Sequence, residues 1–287
     1  MDFISRRQKN ELSKLIYLIL FLFIILLLPV SALANNNTLK IDLNETNYKN
    51  DKFNSEQYLN NFVEIPKAAL GEVFSTDRTD LKRNLLYGGI LAGSIYYLDQ
   101  DIRDYVQENI YAGDNILSEF LYTFGKAEFL LSFYGGGYLI SKLNSDDYLK
   151  NTMHYYFQSY LITQAFTGIF KNTVNRDRPR DSKDDPFSFT GGNAFISGHS
   201  SGAWATMTVL AKRYPETKYL SYGMASLVSA SRIYEDAHWF SDILAGGVVG
   251  YGIGTLTVKL NNALPRNISI EPLISRDIAG TALSVSF

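Results

Sequence analysis

Residues 195–211 read "FISGHSSGAWATMTVLA", a short stretch rich in serine and glycine that runs directly into an apolar segment. The apolar segment predicts a buried helix that begins close to His199. The first N–H groups of a helix have no partner within it, and with the helix dipole they favour an anion. His199 is one of only three histidines in the chain, so its place at this helix mouth suggests an anion site. Serine and glycine are also ordinary capping residues, so the segment needs support from elsewhere.

Similar apolar segments recur along the chain, separated by clusters of Gly, Asn and Asp. They predict helices at 81–98, 101–110, 114–125, 127–142, 147–172, 199–212, 217–233 and 239–258. We therefore expect an all-α bundle with about six core helices, the type of fold in which polar sites lie between helices. Most of the uncharged runs are shorter than the roughly 20 residues of a bilayer span, which leaves embedding in a membrane open.

The two ends of the chain differ from this central part. Basic residues precede an unbroken apolar run that ends at Ala32-Leu33-Ala34, which predicts a signal peptide over residues 1–34 that is cleaved after Ala34. An uncleaved membrane anchor is the alternative; either way the remainder is exported, to the periplasm or to a membrane facing it. We expect a polar, partly disordered lead-in at 35–75, the helical domain at 76–260, and a C-terminal β-hairpin appendage at 261–287, where polar and apolar residues alternate.

Composition excludes several classes of protein. The 287 residues carry a formal net charge of −2 and are 46% hydrophobic, so nothing indicates binding to nucleic acid. The absence of cysteine excludes disulfides and metal sites built on thiolates.

Two further segments carry charged residues at fixed spacing. "KNTVNRDRP" at 171–179 closes a predicted helix and contains Lys171 and Arg178, although a basic helix C-terminus is common by itself. "SRIYEDAHWFSD" at 231–242 contains Arg232, His238 and Asp242. If a helix begins before His238, the four-residue spacing puts His238 and Asp242 on one face, where the carboxylate would orient the imidazole. A helical salt-bridge cluster is an equally good interpretation of this segment taken alone.

Together the three segments supply what phosphoryl transfer requires. Cations and helix-mouth amides can hold the phosphoryl oxygens, one imidazole can attack phosphorus, and the other can protonate the departing oxygen. His154, the remaining histidine, has no such motif around it and is interpreted as structural.

The patterns K-x6-RP, S-G-H and S-R-x5-H-x3-D, in this order, resemble the signature of the type 2 phosphatidic acid phosphatase (PAP2) superfamily. That superfamily includes lipid phosphatases, bacterial non-specific acid phosphatases and vanadium haloperoxidases. The resemblance implies that His238 is a nucleophile that becomes a phosphohistidine, that Asp242 orients it, and that His199 is the general acid and then the base for water. The residues implied to bind phosphate are Lys171, Arg178, Ser197, Gly198 and Arg232. No metal or other cofactor is implied.

We therefore expect hydrolysis of a phosphomonoester or diphosphate outside the cytoplasm. The expected substrate is a phosphate-bearing lipid of the phosphatidate, phosphatidylglycerophosphate or polyprenyl diphosphate type at a membrane surface. A soluble periplasmic acid phosphatase, a haloperoxidase that holds vanadate, and an inactive phosphatase-like interaction protein are the alternatives. The family usually has proline where this chain has Ile196, which puts the pose of Ser197 in doubt.

Overall fold

The computed structural model describes residues 53–74, 78–113, 115–182, 185–263, 267–274 and 279–286. The predicted signal peptide and its cleavage after Ala34 lie outside these residues and stay predictions.

The described part of the chain is mostly helical, as predicted, and each predicted helix has a counterpart within a few residues. The helices are α1 (Ser55–Val73), α2 (Arg78–Tyr97), α3 (Asp99–Asn109), α4 (Ile116–Phe124), α5 (Ala127–Leu143), α6 (Asp147–Val174), the short α7 (Pro179–Ser182), α8 (Gly198–Arg213), α9 (Lys218–Tyr234) and α10 (Phe240–Asn261). A 3₁₀ turn, Pro215–Thr217, joins α8 to α9.

Helix α8, which the opening segment predicts, lies at the centre of the bundle and packs against α10, α9 and α6. Its apolar residues are buried along nearly the whole length of the helix. Glycines of α10 permit the close approach of α10 to α8: a Cβ added at Gly246 would lie 2.9 Å from the carbonyl oxygen of Ser197, and one at Gly254 would lie 2.6 Å from that of Ala205. Because real Cβ atoms do not approach so closely, the small residues set the distance between the two helices.

Helix α1 begins at Ser55, inside the segment predicted as a polar lead-in. The side chain of Asn54 caps it by accepting a 3.0 Å hydrogen bond from Gln57 N. The helix packs against α10, and Ile65 is fully buried. Residues 55–73 of the predicted lead-in therefore form a helix, whose polar residues concealed an apolar face that packs on the bundle.

Beyond α10 the chain runs as two strands, Asn267–Ile274 and Ala279–Ser286, which pair antiparallel with Ile270 opposite Leu283. The packing of a hairpin on the bundle as an appendage stays a prediction.

Among the described helices, α10 alone is long and apolar enough to cross a membrane by length and composition. Half of its apolar window is buried against the rest of the protein, as is typical of the core helix of a bundle. This measure therefore gives only weak support to a membrane span.

Candidate active site

The first motif joins the end of α6 to α7. Lys171 lies in the last turn of α6, and the chain then leaves the helix through Asn175, whose φ of 53° is left-handed. Both cations of the motif bind one residue: Lys171 Nζ donates to the carbonyl oxygen of Asn193 at 2.8 Å, and Arg178 Nε donates to its Oδ1 at 2.9 Å. Burial, and after it the charge of Arg178, lowers the pKa of Lys171. Asn193 thus holds the positive charges of Lys171 and Arg178 near each other. An anion bound between them would stabilise both.

The second motif forms the N-terminus of α8. Ser197 is the N-cap, and its Oγ accepts a hydrogen bond from Ser200 N at 3.4 Å. Its backbone N–H donates to the carbonyl oxygen of Asp242 at 3.1 Å, so the second motif is tied directly to the third. Ile196, which replaces the usual proline, is fully buried. Tertiary contacts therefore fix the loop at the point where the family usually has a rigid proline ring.

His199 lies in the first turn of α8 and is held against the end of α4. Its ring stacks on Tyr122, with ring centroids 5.3 Å apart and planes 12° apart. Gly125 packs so close that an added Cβ would lie 2.7 Å from His199 Cδ2. Burial, followed by the charges of Arg232, His238, Lys171 and Lys126, lowers the pKa of His199 to about 3. His199 is therefore neutral at physiological pH, and its Nε2 is buried without a hydrogen-bond partner in the described part of the chain.

Arg232, in the last turn of α9, is the third cation and is also buried. One of its terminal nitrogens lies 2.7 Å from Glu235 Oε1, and its guanidinium carbon lies 4.7 Å from the centre of the Tyr122 ring. Tyr122 thus contacts both the second and the third motif. No sequence motif singles this residue out, since its role depends on the packing of α4 against α8 and α9.

His238 precedes α10, which begins at Phe240, so the condition that a helix begins before His238 is not met. The N-terminal cap of α10 sets this starting point. Asp242 lies in the first helical turn and accepts a 2.9 Å hydrogen bond from Trp239 N. The two residues nevertheless meet, because this turn leaves His238 Nδ1 at 3.6 Å from Asp242 Oδ2. Burial lowers the pKa of His238, and the neighbouring Asp242 opposes that effect. The separation exceeds a hydrogen bond, and His238 Nδ1 has no hydrogen-bond partner in the described part of the chain, so the orienting role of Asp242 stays a prediction.

Behind this pair lies a buried ionic network that the sequence analysis missed. Arg176 donates from one terminal nitrogen to Asp242 Oδ1 at 2.7 Å and from the other to Asp99 Oδ2 at 2.6 Å. Asp99 in turn accepts hydrogen bonds from the backbone and side chain of Ser241, at 2.7 and 2.6 Å. Burial raises the pKa of Asp99, and the charge of Arg176 opposes the rise. The network holds Asp242 from the side opposite His238.

One face of α3 supports the loop that carries the third motif. Asp99, Arg103 and Gln107 follow one another at intervals of four residues and therefore share that face. Arg103 Nε lies 2.8 Å from Asp236 Oδ1, and Gln107 donates to the carbonyl oxygens of Ile233 and Tyr234, both at 3.1 Å. This polar stripe at helical spacing is the one sequence signal that could have identified the supporting role of α3.

The three motifs converge on one place. After burial, the charges of Lys171 and Arg178 lower the pKa of His238, while those of Arg232 and Lys171 lower the pKa of His199. In the described ranges, no group of three or more Asp, Glu or His side chains could hold a metal ion. The arrangement therefore offers two neutral imidazoles within a ring of positive charge, a setting that favours a dianion such as phosphate.

Comparisons with known proteins agree with this site. The PAP2 superfamily model matches residues 153–266, a range that contains all three motifs. A PA-phosphatase related-family protein of Dictyostelium discoideum is 32% identical over 170 residues, which are 49% of this chain and 62% of that protein. The lipid A 1-phosphatase of Porphyromonas gingivalis is 33% identical over 82 residues, 27% of this chain and 18% of that protein. The acid phosphatase of Zymomonas mobilis is 30% identical over 92 residues, 30% of this chain and 35% of that protein.

This chain therefore spans less than two thirds of the length of each of these three relatives. Among solved structures, a transmembrane PAP2 type phosphatidylglycerolphosphate phosphatase from Bacillus subtilis matches 62% of this chain and 93% of its own, with 21% identity and a TM-score of 0.46. Over residues 153–266, the range that contains the three motifs, the chain is therefore similar to the PAP2 superfamily.

Proposed function

We propose that this protein is a phosphatase that hydrolyses a phosphate ester or diphosphate of a lipid outside the cytoplasm, through a phosphohistidine. The observation that carries the proposal is the pairing of His238 with Asp242, 3.6 Å apart, with the half-buried cations Lys171 and Arg178 of the first motif close enough to lower the pKa of His238. Nothing in a purely structural salt-bridge cluster would require a second histidine, His199, in the same ring of charge.

The proposed first step is attack by His238 Nε2 on phosphorus. Asp242 favours the tautomer with the hydrogen on Nδ1, which leaves the lone pair of Nε2 free. A nitrogen–phosphorus bond forms, the bond from phosphorus to the leaving oxygen breaks, and that oxygen takes the electron pair. Lys171, Arg178 and Arg232, with Ser197 and the amide of Gly198, bind the three remaining phosphoryl oxygens.

His199 is the proposed acid and base. It is neutral because burial and the surrounding cations keep its pKa at about 3. A bound phosphate dianion offsets those positive charges and so raises the pKa, which lets His199 carry the proton that it gives to the leaving oxygen. In the second step neutral His199 removes a proton from water, the water oxygen bonds to phosphorus, and the nitrogen–phosphorus bond breaks to release phosphate and restore His238. The site proposed here needs no metal.

A lipid substrate is supported by the apolar surface beside the site. Helix α4, whose Tyr122 contacts His199, exposes Ile116 at 89%, Leu117 at 64% and Phe120 at 52%. Exposed apolar surface of this kind marks a contact with lipid or with another protein. One relative is named a lipid A 1-phosphatase, whereas another is named simply an acid phosphatase. We therefore propose a membrane-associated enzyme, with a soluble acid phosphatase as the outcome that would replace it.

The catalytic proposal is tested by measuring phosphate release, in the presence of EDTA, from lipid phosphates and from p-nitrophenyl phosphate. His238→Ala and His199→Ala should each abolish release, whereas the control His154→Ala should retain it, since His154 stacks on Phe53 (ring centroids 4.8 Å apart) outside the motifs. Brief mixing with ³²P-labelled substrate should trap an acid-labile phosphoenzyme in the wild type and none in His238→Ala. Turnover that persists in both histidine variants would exclude the mechanism.

Location and substrate class are tested together. Cells expressing the full chain should show the activity in the membrane fraction, and N-terminal sequencing of the protein should begin at Asn35. Activity confined to the soluble fraction, with no preference for lipid phosphates, would establish the soluble acid phosphatase instead.

A further inference from the structure

His199, the proposed acid and base, lacks the kind of contact that usually orients a catalytic imidazole. Proteins commonly fix such a ring through a hydrogen bond to one of its nitrogens, the role proposed for Asp242 at His238. Nε2 of His199 is buried, yet it has no hydrogen-bond partner among the residues that the structure describes. The orientation of this ring therefore depends on the groups that pack against it.

Those groups come from the end of α4. The ring of Tyr122 stacks on the imidazole, with 5.3 Å between centroids and 12° between planes. Gly125 caps the helix three residues further on, and a Cβ added there would lie 2.7 Å from His199 Cδ2 and 2.8 Å from Val228 Cγ1. Residues three apart share a helix face, so one face of α4 supplies both contacts. The imidazole is thus packed against an aromatic ring and against a stretch of backbone that leaves no space for a side chain.

Tyr122 also contacts a cation of the site, but that cation has anchors of its own. The guanidinium carbon of Arg232 lies 4.7 Å from the centre of the Tyr122 ring. The same guanidinium donates to Glu235 Oε1 at 2.7 Å and to Ser231 Oγ at 3.1 and 3.2 Å. Loss of the Tyr122 ring should therefore disturb the imidazole of His199 more than it disturbs the binding of phosphate.

We propose that Tyr122 is a positioning residue of the reaction, whose ring holds the imidazole of His199 in the orientation that reaches the leaving oxygen. This inference rests on the proposed function. In the first step the proton of His199 passes to the oxygen whose bond to phosphorus breaks and which keeps the electron pair. An aromatic face packs on an imidazole whether or not that imidazole carries a proton, as the successive roles of acid and base require. The stacking needs the ring of Tyr122 and not its hydroxyl.

The test compares two esters whose leaving oxygens need that proton to different degrees. A phenol, like the side chain of tyrosine, has a pKa of about 10 and departs poorly as the anion, whereas the nitro group of p-nitrophenol stabilises its anion. The quantity compared is kcat/KM, which covers the attack by His238; the later hydrolysis of the phosphoenzyme is common to both esters. A misplacement of about 1 Å costs up to about 10²-fold in rate. Tyr122→Leu should therefore lower kcat/KM about 10–100-fold for phenyl phosphate and less than about threefold for p-nitrophenyl phosphate.

Two further variants separate the ring from its hydroxyl and from general packing. Tyr122→Phe keeps the ring and should restore kcat/KM for phenyl phosphate to within about threefold of the wild type. The matched control is Tyr138→Leu, which removes a tyrosine ring 5.3 Å from that of His154, outside the motifs, and should change neither ester by more than about twofold. The inhibition constant of inorganic phosphate should stay within about twofold throughout, since Arg232 keeps its other anchors. An equal loss on both esters in Tyr122→Leu, or an equal loss in Tyr122→Phe and Tyr122→Leu, would overturn the inference.

Crystal structures of the two Tyr122 variants separate this inference from the proposed function. In Tyr122→Leu the imidazole of His199 should take more than one orientation while the ion pair of Arg232 with Glu235 persists, and in Tyr122→Phe it should take one. If the wild type releases phosphate from neither the aryl esters nor lipid phosphates but the ring behaves in this way, the phosphatase proposal fails and Tyr122 still orients His199. If the His199 ring is unchanged in Tyr122→Leu, the inference fails even in an active enzyme.

Discussion

Arg176 donates a 2.7 Å hydrogen bond to Asp242 Oδ1 at a depth where the two side chains are only 1% and 0% exposed. Because this oxygen is occupied, only Oδ2 of Asp242 faces His238 Nδ1. The guanidinium therefore fixes the orientation of the carboxylate that orients the proposed nucleophile, and Asp99 fixes the guanidinium in turn.

Removing Arg176 should destabilise the protein strongly. Arg176→Ala leaves the carboxylates of Asp99 and Asp242 buried without their partner, and breaking a buried ion pair in this way costs about 3–5 kcal/mol. Chemical denaturation should show a loss of that size in the free energy of unfolding. Arg180→Ala, at an exposed arginine four residues away, should change it by less than about 0.5 kcal/mol. A loss below about 1 kcal/mol for Arg176→Ala would mean that the network contributes little to stability.

Arg176→Lys tests positioning separately from stability. A lysine keeps the charge but cannot reach both carboxylates with the planar fork of a guanidinium. We expect kcat to fall about tenfold or more with KM within a factor of two, because Arg176 is not among the proposed phosphate ligands. A rise in KM at constant kcat would contradict the positioning role.

Asp242→Asn should lower kcat by about 10²–10⁴, the range typical when an imidazole loses the carboxylate that sets its tautomer. Substrate binding should persist, since the proposed phosphate ligands remain. Steady-state kinetics with a soluble substrate provides the measurement, and Asp181→Asn, at an exposed aspartate, is the control. Equal kcat values in the two variants would show that His238 does not depend on its carboxylate.

Stability should fall on acidification, in a window set by His199. Its pKa is about 3 in the folded protein against an ordinary 6.5, so the folded state resists a proton that the unfolded chain accepts. The contribution of His199 to stability is therefore complete above pH 6.5 and is lost as the pH falls from 6.5 towards about 3. The free energy of unfolding, measured by chemical denaturation across this pH range, should depend less on pH in His199→Gln than in the wild type. If the free energy of unfolding depended on pH identically in the two proteins, His199 would not be held neutral by burial.

The contact between α8 and α10 should tolerate no side chain at Gly250. A Cβ there would overlap the carbonyl oxygen of Ser201 and lie 2.9 Å from Ala205 N. Gly250→Ala should therefore lower the free energy of unfolding by about 1–3 kcal/mol through overpacking. Gly252→Ala is a control two residues away in the same helix, because nothing lies within 4 Å of its added Cβ. That variant should be neutral or more stable by up to about 1 kcal/mol, as helix propensity predicts.

Much of the bundle could be predicted from local sequence, because each core helix repeats apolar residues at helical spacing and ends at Gly, Asn or Asp clusters. Helix α1 was not among the predicted helices, since polar residues such as Asn60 and Asn61 obscured a face that packs on α10. The three motifs carry their residue types at fixed short spacings, so the chemistry of the site was visible without coordinates.

The residues that hold the site residues in place could not be predicted from the sequence. Asp99 is 77 residues from Arg176 and 142 residues from Ser241, and no periodic pattern links such distant positions. Tyr122 likewise joins His199 to Arg232 only because α4 packs between α8 and α9. The sequence by itself determined which side chains bear charge and where the helices form, since both depend on neighbours in the chain. Only the tertiary structure decided which carboxylate, ring and ammonium surround each histidine, because those contacts depend on how helices far apart in sequence pack together.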